Sequence, residues 1–454
     1  AGFLTRKEVE ACDCGKAARD IDYGKLYENR MPLLKLAYER SLEKPDPKFT
    51  AFWTENAWWL DDYGLFMAVK DIFGGNSWDQ WAEDIRYRWD NAMWYYKTNY
   101  SKEIGFYVWL QYLFFTQWQK LKKYANDKGL KIIGDIPIYV AYDSADVWAH
   151  PEMFQLDQER KPAAVAGCPP DGFSADGQLW GNPLYRWNHH RNTGYDWWVT
   201  RISWCFRLYD VVRIDHFRGF DEYFSIPAKD KTAVNGHWEK GPGIELFQVI
   251  KARLGEKPII AEDLGYVTDT VRRMVKESGY PNMKVLEFAF DSREESDYLP
   301  HNYEHNCVAY TGTHDNETIL GWLSSIKPEE VEMVRAYLNR PTESKQVLAS
   351  ELVRTTIASV ADTCIIPIQD YLGLDNSARI NFPSTLGTNW RWRLIKSDLT
   401  KALADSIRKQ NIVYGRVMWE DLQEDEKPKD PEEETETETE PKQKKDSSVK
   451  EEKD

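Results

Sequence analysis

The sequence is poor in cysteine and histidine, with six and eight residues in 454. Cys12-Asp-Cys14 has no second Cys or His pair at zinc-site spacing, and the other four thiols are scattered. Neither a metal site nor a disulfide framework is therefore expected, and no cofactor is called for. No signal-peptide pattern stands at Ala1, so reduced thiols and a cytoplasmic setting are the expectation. Long apolar runs are also missing. The most hydrophobic window, residues 104–118, is broken by Gln111 and Gln117 and is too short to span a bilayer. There is no G-x-G-x-x-G and no P-loop, which argues against a nucleotide-binding open sheet. A basic patch is lacking too. The net charge of −15 disfavours nucleic acid and anionic membranes as partners.

What is present is aromatic and patterned. Aromatic content is high, with 20 Trp and 25 Tyr; most of these serve packing, and an excess of Trp is also what sugar-stacking surfaces use. Residues 1–129 carry apolar side chains at three- and four-residue spacings, with breaks at Pro45/Pro47, Gly74–Gly75 and Gly129, and read as a helical subdomain. From Leu130 the pattern changes. Strand candidates fall at 130–140, 210–217, 257–265, 283–290, 307–315 and 362–374, with helix-like segments between most of them. Such alternation means a parallel sheet with right-handed crossovers. Several of these strands end in acidic or polar residues, as at the carboxyl mouth of a (β/α)8 barrel, which places a catalytic barrel at 130–420. Six strands are two short of that barrel's eight. Residues 166–187, rich in Pro, Gly and aromatics, read as a structured loop and a candidate lid. From Asp421 onward 15 acidic and 7 basic residues account for more than half of the net charge. That stretch, 421–454, is expected to be disordered.

The stretch Asp210–Phe220, DVVRIDHFRGF, is the most informative. On a strand, Arg213 and Asp215 share one face and Val212 and Ile214 the other. A guanidinium beside a carboxylate lowers its pKa and keeps it ionised, as a glycosidic nucleophile requires. Taken alone, the stretch is equally a structural Arg–Asp pair. Glu262 in IIAEDLG and Asp315 in YTGTHDNET add two more acids at strand ends, beside His314. Paired carboxylates flanking a scissile bond are the machinery of glycoside cleavage.

With these residues assembled, the sequence resembles the 4-α-glucanotransferases (amylomaltases, or disproportionating enzymes) of the α-amylase superfamily. The resemblance is carried by RIDHFRGF, IIAEDLG and GTHDNET, by DIPIYVAYDSADVW (135–148) and PPDGFSADGQLWGNPLYRW (169–187), and by RINFPSTLGTNWRWR near the end. It implies an α/β fold of the TIM-barrel type, lacking its first two strand-helix units and carrying a helical insertion. It further implies Asp215 as nucleophile, Glu262 as general acid/base and Asp315 as the carboxylate that holds sugar hydroxyls. Arg213 would position the nucleophile and His314 bind a sugar hydroxyl. Asp171, Phe173, Gln178 and Trp180 would form the active-site loop, with Asp135 near the donor sugar. The implied partners are malto-oligosaccharides, glucans derived from starch or glycogen, and glucose as acceptor. An α-glucan hydrolase and an inactive glucan-binding fragment are the alternatives. A lid over the sugar favours transfer, and the presence of all three carboxylates argues against an inactive site.

Overall fold

The computed structural model describes residues 2–170, 174–265, 267–293 and 295–418. The chain divides into two compact units, Ala1–Asp398 and Leu399–Asp454. In the second, the helix Lys401–Val413 begins at Thr400, whose hydroxyl accepts the Leu403 N–H. The acidic segment 421–454 lies outside the described residues.

The larger unit opens with helices up to Asp127, as the periodicity predicts. The helix Pro47–Ile72 is started by Asp46, whose side chain accepts the Lys48 N–H, and by Pro47, whose missing N–H costs nothing in a first turn. It lies against the helix Ser101–Asp127 at Gly64, where an added Cβ would sit 3.0 Å from Val108. The second helix then reaches the barrel. Trp118 Nε1 donates to the Leu208 carbonyl at 2.8 Å, and Lys122 Nζ donates to the Tyr209 carbonyl at 3.0 Å. The helical region thereby holds the entrance of the strand that carries Asp215.

Among the described residues ten strands follow: β1 (Ile133–Pro137), β2 (Ala164–Cys168), β3 (Gln178–Pro183), β4 (Val211–Asp215), β5 (Glu222–Pro227), β6 (His237–Lys240), β7 (Ile259–Ala261), β8 (Asn282–Val285), β9 (Cys307–Tyr310) and β10 (Thr363–Ile365). The six strands foreseen from sequence are β1, β4, β7, β8, β9 and β10, and all their pairings are parallel. They run in the order β1-β4-β7 and β8-β9-β10. The Ala261 N–H, bonded to the Pro281 carbonyl at 3.0 Å, joins the two ladders into one arc. Alternation sorts the side chains. Val212, Ile214, Ile259 and Ala261 enter the large core with the helix residues Leu246 and Phe247, while Ile260, Met283, Val285, Val308 and Tyr310 form a second cluster.

One region departs from the expected pattern. Part of 166–187 is strand rather than loop: β2 and β3 pair antiparallel within the four-stranded sheet β3-β2-β5-β6. The glycine that suggests a loop is what lets the strands meet. A Cβ on Gly167 would lie 2.0 Å from the Gln178 carbonyl oxygen. The strands β5 and β6 were not legible either, since no period of two survives in EYFSIP, whose four central residues are all buried.

Candidate active site at the carboxyl ends of the parallel strands

The parallel register brings Asp135 opposite Arg213 and Pro137 opposite Asp215. Arg213, nearly buried, uses one nitrogen for two acids: Nη1 donates to Asp135 Oδ2 at 2.6 Å and to Asp215 Oδ1 at 3.1 Å. Its Nε points at Met283 Sδ, 3.3 Å away on β8, which fixes the guanidinium plane. Burial works against the charge on Arg213, but Asp135, Glu262 and Asp215 together more than offset it. The expectation for Asp215 needs correction. Its carboxyl is raised, not lowered, because burial outweighs the pull of Arg213, and Asp135 and Asp315 add to the rise.

Glu262 follows β7 and is buried. Its Oε2 accepts the His216 N–H at 2.6 Å and its Oε1 the Leu264 N–H at 2.8 Å. The Glu262 backbone completes the link, its N–H bonded to the Ile214 carbonyl and its carbonyl to the Phe217 N–H. Burial pushes its pKa to about 7; Arg213 and the two backbone N–H groups pull down and Asp215 pushes up. The main source of this rise is burial rather than the neighbouring acid. The next acid, Asp263, has a structural task, accepting the Met283 N–H at 3.1 Å.

The chain turns sharply between these groups. His216 has φ 53°, in the left-handed region, where a side chain other than glycine costs about 1–3 kcal/mol. The turn is held by the buried Phe217–Phe220 segment, with Phe217 stacked on Phe247 at 4.6 Å. Over the His216 ring stands Trp180, edge-on with centroids 4.8 Å apart, and its Nε1 donates to Gln178 Oε1 at 3.0 Å. Gln178 and Trp180 thus come from β3 to the Asp215 strand end. Asp171 and Phe173 lie outside the described residues.

After β9, His314 Nε2 lies 3.4 Å from Asp315 Oδ2. Asn381 Nδ2 donates to Asp315 Oδ1 at 2.5 Å, Arg379 Nη2 donates to the Asp315 carbonyl at 2.8 Å, and Trp390 lies 5.4 Å from the His314 ring. Sequence reasoning gave no role to Asn381, Arg379 or Trp390. All three sit in RINFPSTLGTNWRWR, which carries no acid to draw attention, as His216 was passed over because it serves through its backbone. A cavity of about 340 Å³ is lined by Asp135, Arg213 and His314 among others. Asp215, Glu262 and Asp315 are not in its wall, so it lies beside these acids rather than among them. Among the described residues no cluster of three or more His, Cys, Asp or Glu could hold a metal, and no helix is long and apolar enough to cross a membrane.

An arc of parallel strands bearing acids at its carboxyl ends defines a barrel-type α/β enzyme acting at that mouth. The chain belongs to the 4-alpha-glucanotransferase family, whose profile matches residues 2–398. It is 46% identical over 416 residues to a 4-alpha-glucanotransferase of Clostridium butyricum, covering 91% of this chain and 85% of that protein. A Thermus thermophilus 4-alpha-glucanotransferase is 45% identical over 87% of this chain and 81% of its own length. Among solved structures, amylomaltase from Streptococcus agalactiae in complex with acarbose superposes with a TM-score of 0.88 at 40% identity, covering 91% of this chain and 84% of that one. The amylomaltase of Corynebacterium glutamicum, at 19% identity and a TM-score of 0.64, shares the fold.

Proposed function

We propose that this chain transfers α-1,4-glucan segments by double displacement, with Asp215 as nucleophile and Glu262 as acid and then base. The observation that carries the reading is the tie between them. Glu262, with a pKa near 7, is bonded to the residue after Asp215, while Arg213 pairs with Asp215 itself. Asp215 attacks the anomeric carbon as Glu262 protonates the departing glycosidic oxygen, giving a β-glucosyl ester and a free reducing-end product. Glu262, now ionised, takes the proton from the 4-hydroxyl of an acceptor, which displaces Asp215. Two inversions retain the α-configuration, and no cofactor enters. Asp315, oriented by Asn381, and His314 hold sugar hydroxyls. Donors are malto-oligosaccharides or larger glucans, and glucose or another chain accepts. The sparse, scattered cysteines support a reducing, cytoplasmic setting.

The competing reading is hydrolysis, with water as acceptor. Trp180 above the Asp215 strand end favours transfer, because it shields the ester from water. Transfer conserves the number of reducing ends, whereas hydrolysis creates one per event. Incubation with maltotriose should give glucose and longer chains at constant reducing-end count. A rising count without longer chains would establish hydrolysis, and no product at all would establish a binding protein.

A further inference from the structure

Glu287 is a buried acid that the chemistry above leaves unused. It follows β8, and its N–H donates to the Thr311 carbonyl at 3.2 Å, tying its turn to the one after β9. Its carboxyl lies flat against that second turn: a Cβ on Gly312 would come 2.8 Å from Glu287 Oε1. At the far end of the turn the Asn316 side chain stands close enough to the same carboxyl to act on its charge. Asn316 Oδ1 meanwhile accepts from the Thr313 N–H at 3.0 Å and from Thr313 Oγ1 at 2.8 Å. The residues enclosed between these two contacts are Thr313, His314 and Asp315. Behind them, buried Asp370 accepts from Thr311 Oγ1 at 2.5 Å and from the Ile319 N–H at 2.8 Å, closing the base of the turn.

The surroundings bear on the charge of Glu287. Among the described residues no protein group hydrogen-bonds its Oε1, and a buried carboxylate anion needs donors that are absent there. The charged groups that act on it most are Asp370 and Glu317, both acidic, and Arg379, which pulls the other way. Burial first, then the two acids, push its carboxyl well above the usual range and favour its protonated form.

We propose that Glu287 is a positioning residue whose neutral carboxyl braces the Gly312–Asn316 turn and so sets His314 and Asp315 at the barrel mouth. The inference rests on the reading of Asp315 as a sugar-holding carboxylate. Its test is maltotriose disproportionation by Glu287→Gln and Glu287→Leu, with circular dichroism to confirm folding. The amide reproduces both shape and neutrality, so Glu287→Gln should stay within about twofold of the parent. Glu287→Leu keeps bulk but loses the polar end, and should lower kcat about 10- to 100-fold with KM nearly unchanged. Loss in Glu287→Gln equal to that in Glu287→Leu would overturn the proposal by showing that the charge is needed. A fully active Glu287→Leu would overturn it by showing the brace to be idle. Should the Leu variant not fold, the Gln variant decides alone: parental activity supports the neutral brace and loss of activity refutes it. Asp315→Asn separates the two levels. If it is as active as the parent, the site reading fails; if it is inactive while Glu287→Leu is active, only the brace fails.

Discussion

The backbone N–H of His216 donates to Glu262 Oε2 at 2.6 Å, so the residue that follows Asp215 is fastened to the acid one strand away. The register of β4 and β7, with Ile214 opposite Ala261, makes this contact, and the left-handed turn at His216 aims the N–H at it. The Glu262 carboxyl is thereby held by main chain, while the Arg213 guanidinium holds that of Asp215. Each of the following expectations depends on that arrangement.

The first is a pH profile. With Glu262 near pKa 7, the protonated acid is lost as pH rises through neutrality, so kcat/KM on maltotriose should fall on an alkaline limb near pH 7. The acid limb, set by ionisation of Asp215, should lie above the ordinary aspartate value of 3.8. The same group acts on stability. Its folded pKa is raised from 4.5, so the folded state holds the proton more tightly than the unfolded chain does. That contribution is complete below about pH 4.5 and is lost as pH rises through about 7. Melting temperatures of the parent and Glu262→Gln should therefore shift in favour of the Gln variant between those two pH values. A pH-independent difference would contradict the assignment.

A second expectation separates the two jobs of Glu262. Glu262→Gln should lose most activity on maltodextrins yet retain far more on a glucosyl fluoride donor, since fluoride departs without a proton. Comparison of kcat/KM on the two donors makes the measurement. Equal losses would remove the acid role.

Arg213 carries the third. Its single Nη1 stands between Asp135 and Asp215, so Arg213→Met leaves the two acids facing each other without a counter-charge. Losing an opposite charge at this range raises a carboxyl pKa by about 1–3 units, and the acid limb of the rate profile should move up accordingly. Arg213→Lys, which keeps a positive charge but loses the planar guanidinium and its contact with Met283, should restore it only in part. An unmoved acid limb in Arg213→Met would sink the idea that Arg213 sets the ionisation of Asp215.

Much of this was legible in the chain, for physical reasons that also explain the rest. The parallel strands announced themselves because β-branched runs such as Val211–Ile214 bury both faces, and their acids fall at the strand ends. The Arg213–Asp215 pairing followed from a period of two. The net effect on Asp215 did not, because a local neighbour can be read from sequence while burial by distant elements cannot. The antiparallel sheet was hidden by Gly167, Pro169, Pro170 and Gly177, residues that read as loop and here allow close strand approach or a turn. His216 and Asn381 act through a backbone N–H and a neutral amide, and neither carries a charge that marks it in sequence.

The last expectation concerns the choice between sugar and water. Trp180 is 37% exposed, stands edge-on to His216, and is oriented by its Nε1 bond to Gln178. Its ring covers the strand end on which the glucosyl ester would form, and a covered ester is reached more readily by a bound acceptor sugar than by free water. Trp180→Ala opens that face while leaving Asp215, Glu262 and Arg213 in place. Turnover should persist, but each event should now add reducing ends, with glucose and maltose accumulating at the expense of longer chains. Trp180→Phe keeps a ring and loses only the bond to Gln178, so it should lie between Ala and the parent. The ratio of new reducing ends to longer products, followed from maltotriose, is the measure. If that ratio is the same in all three proteins, Trp180 does not govern the choice of acceptor.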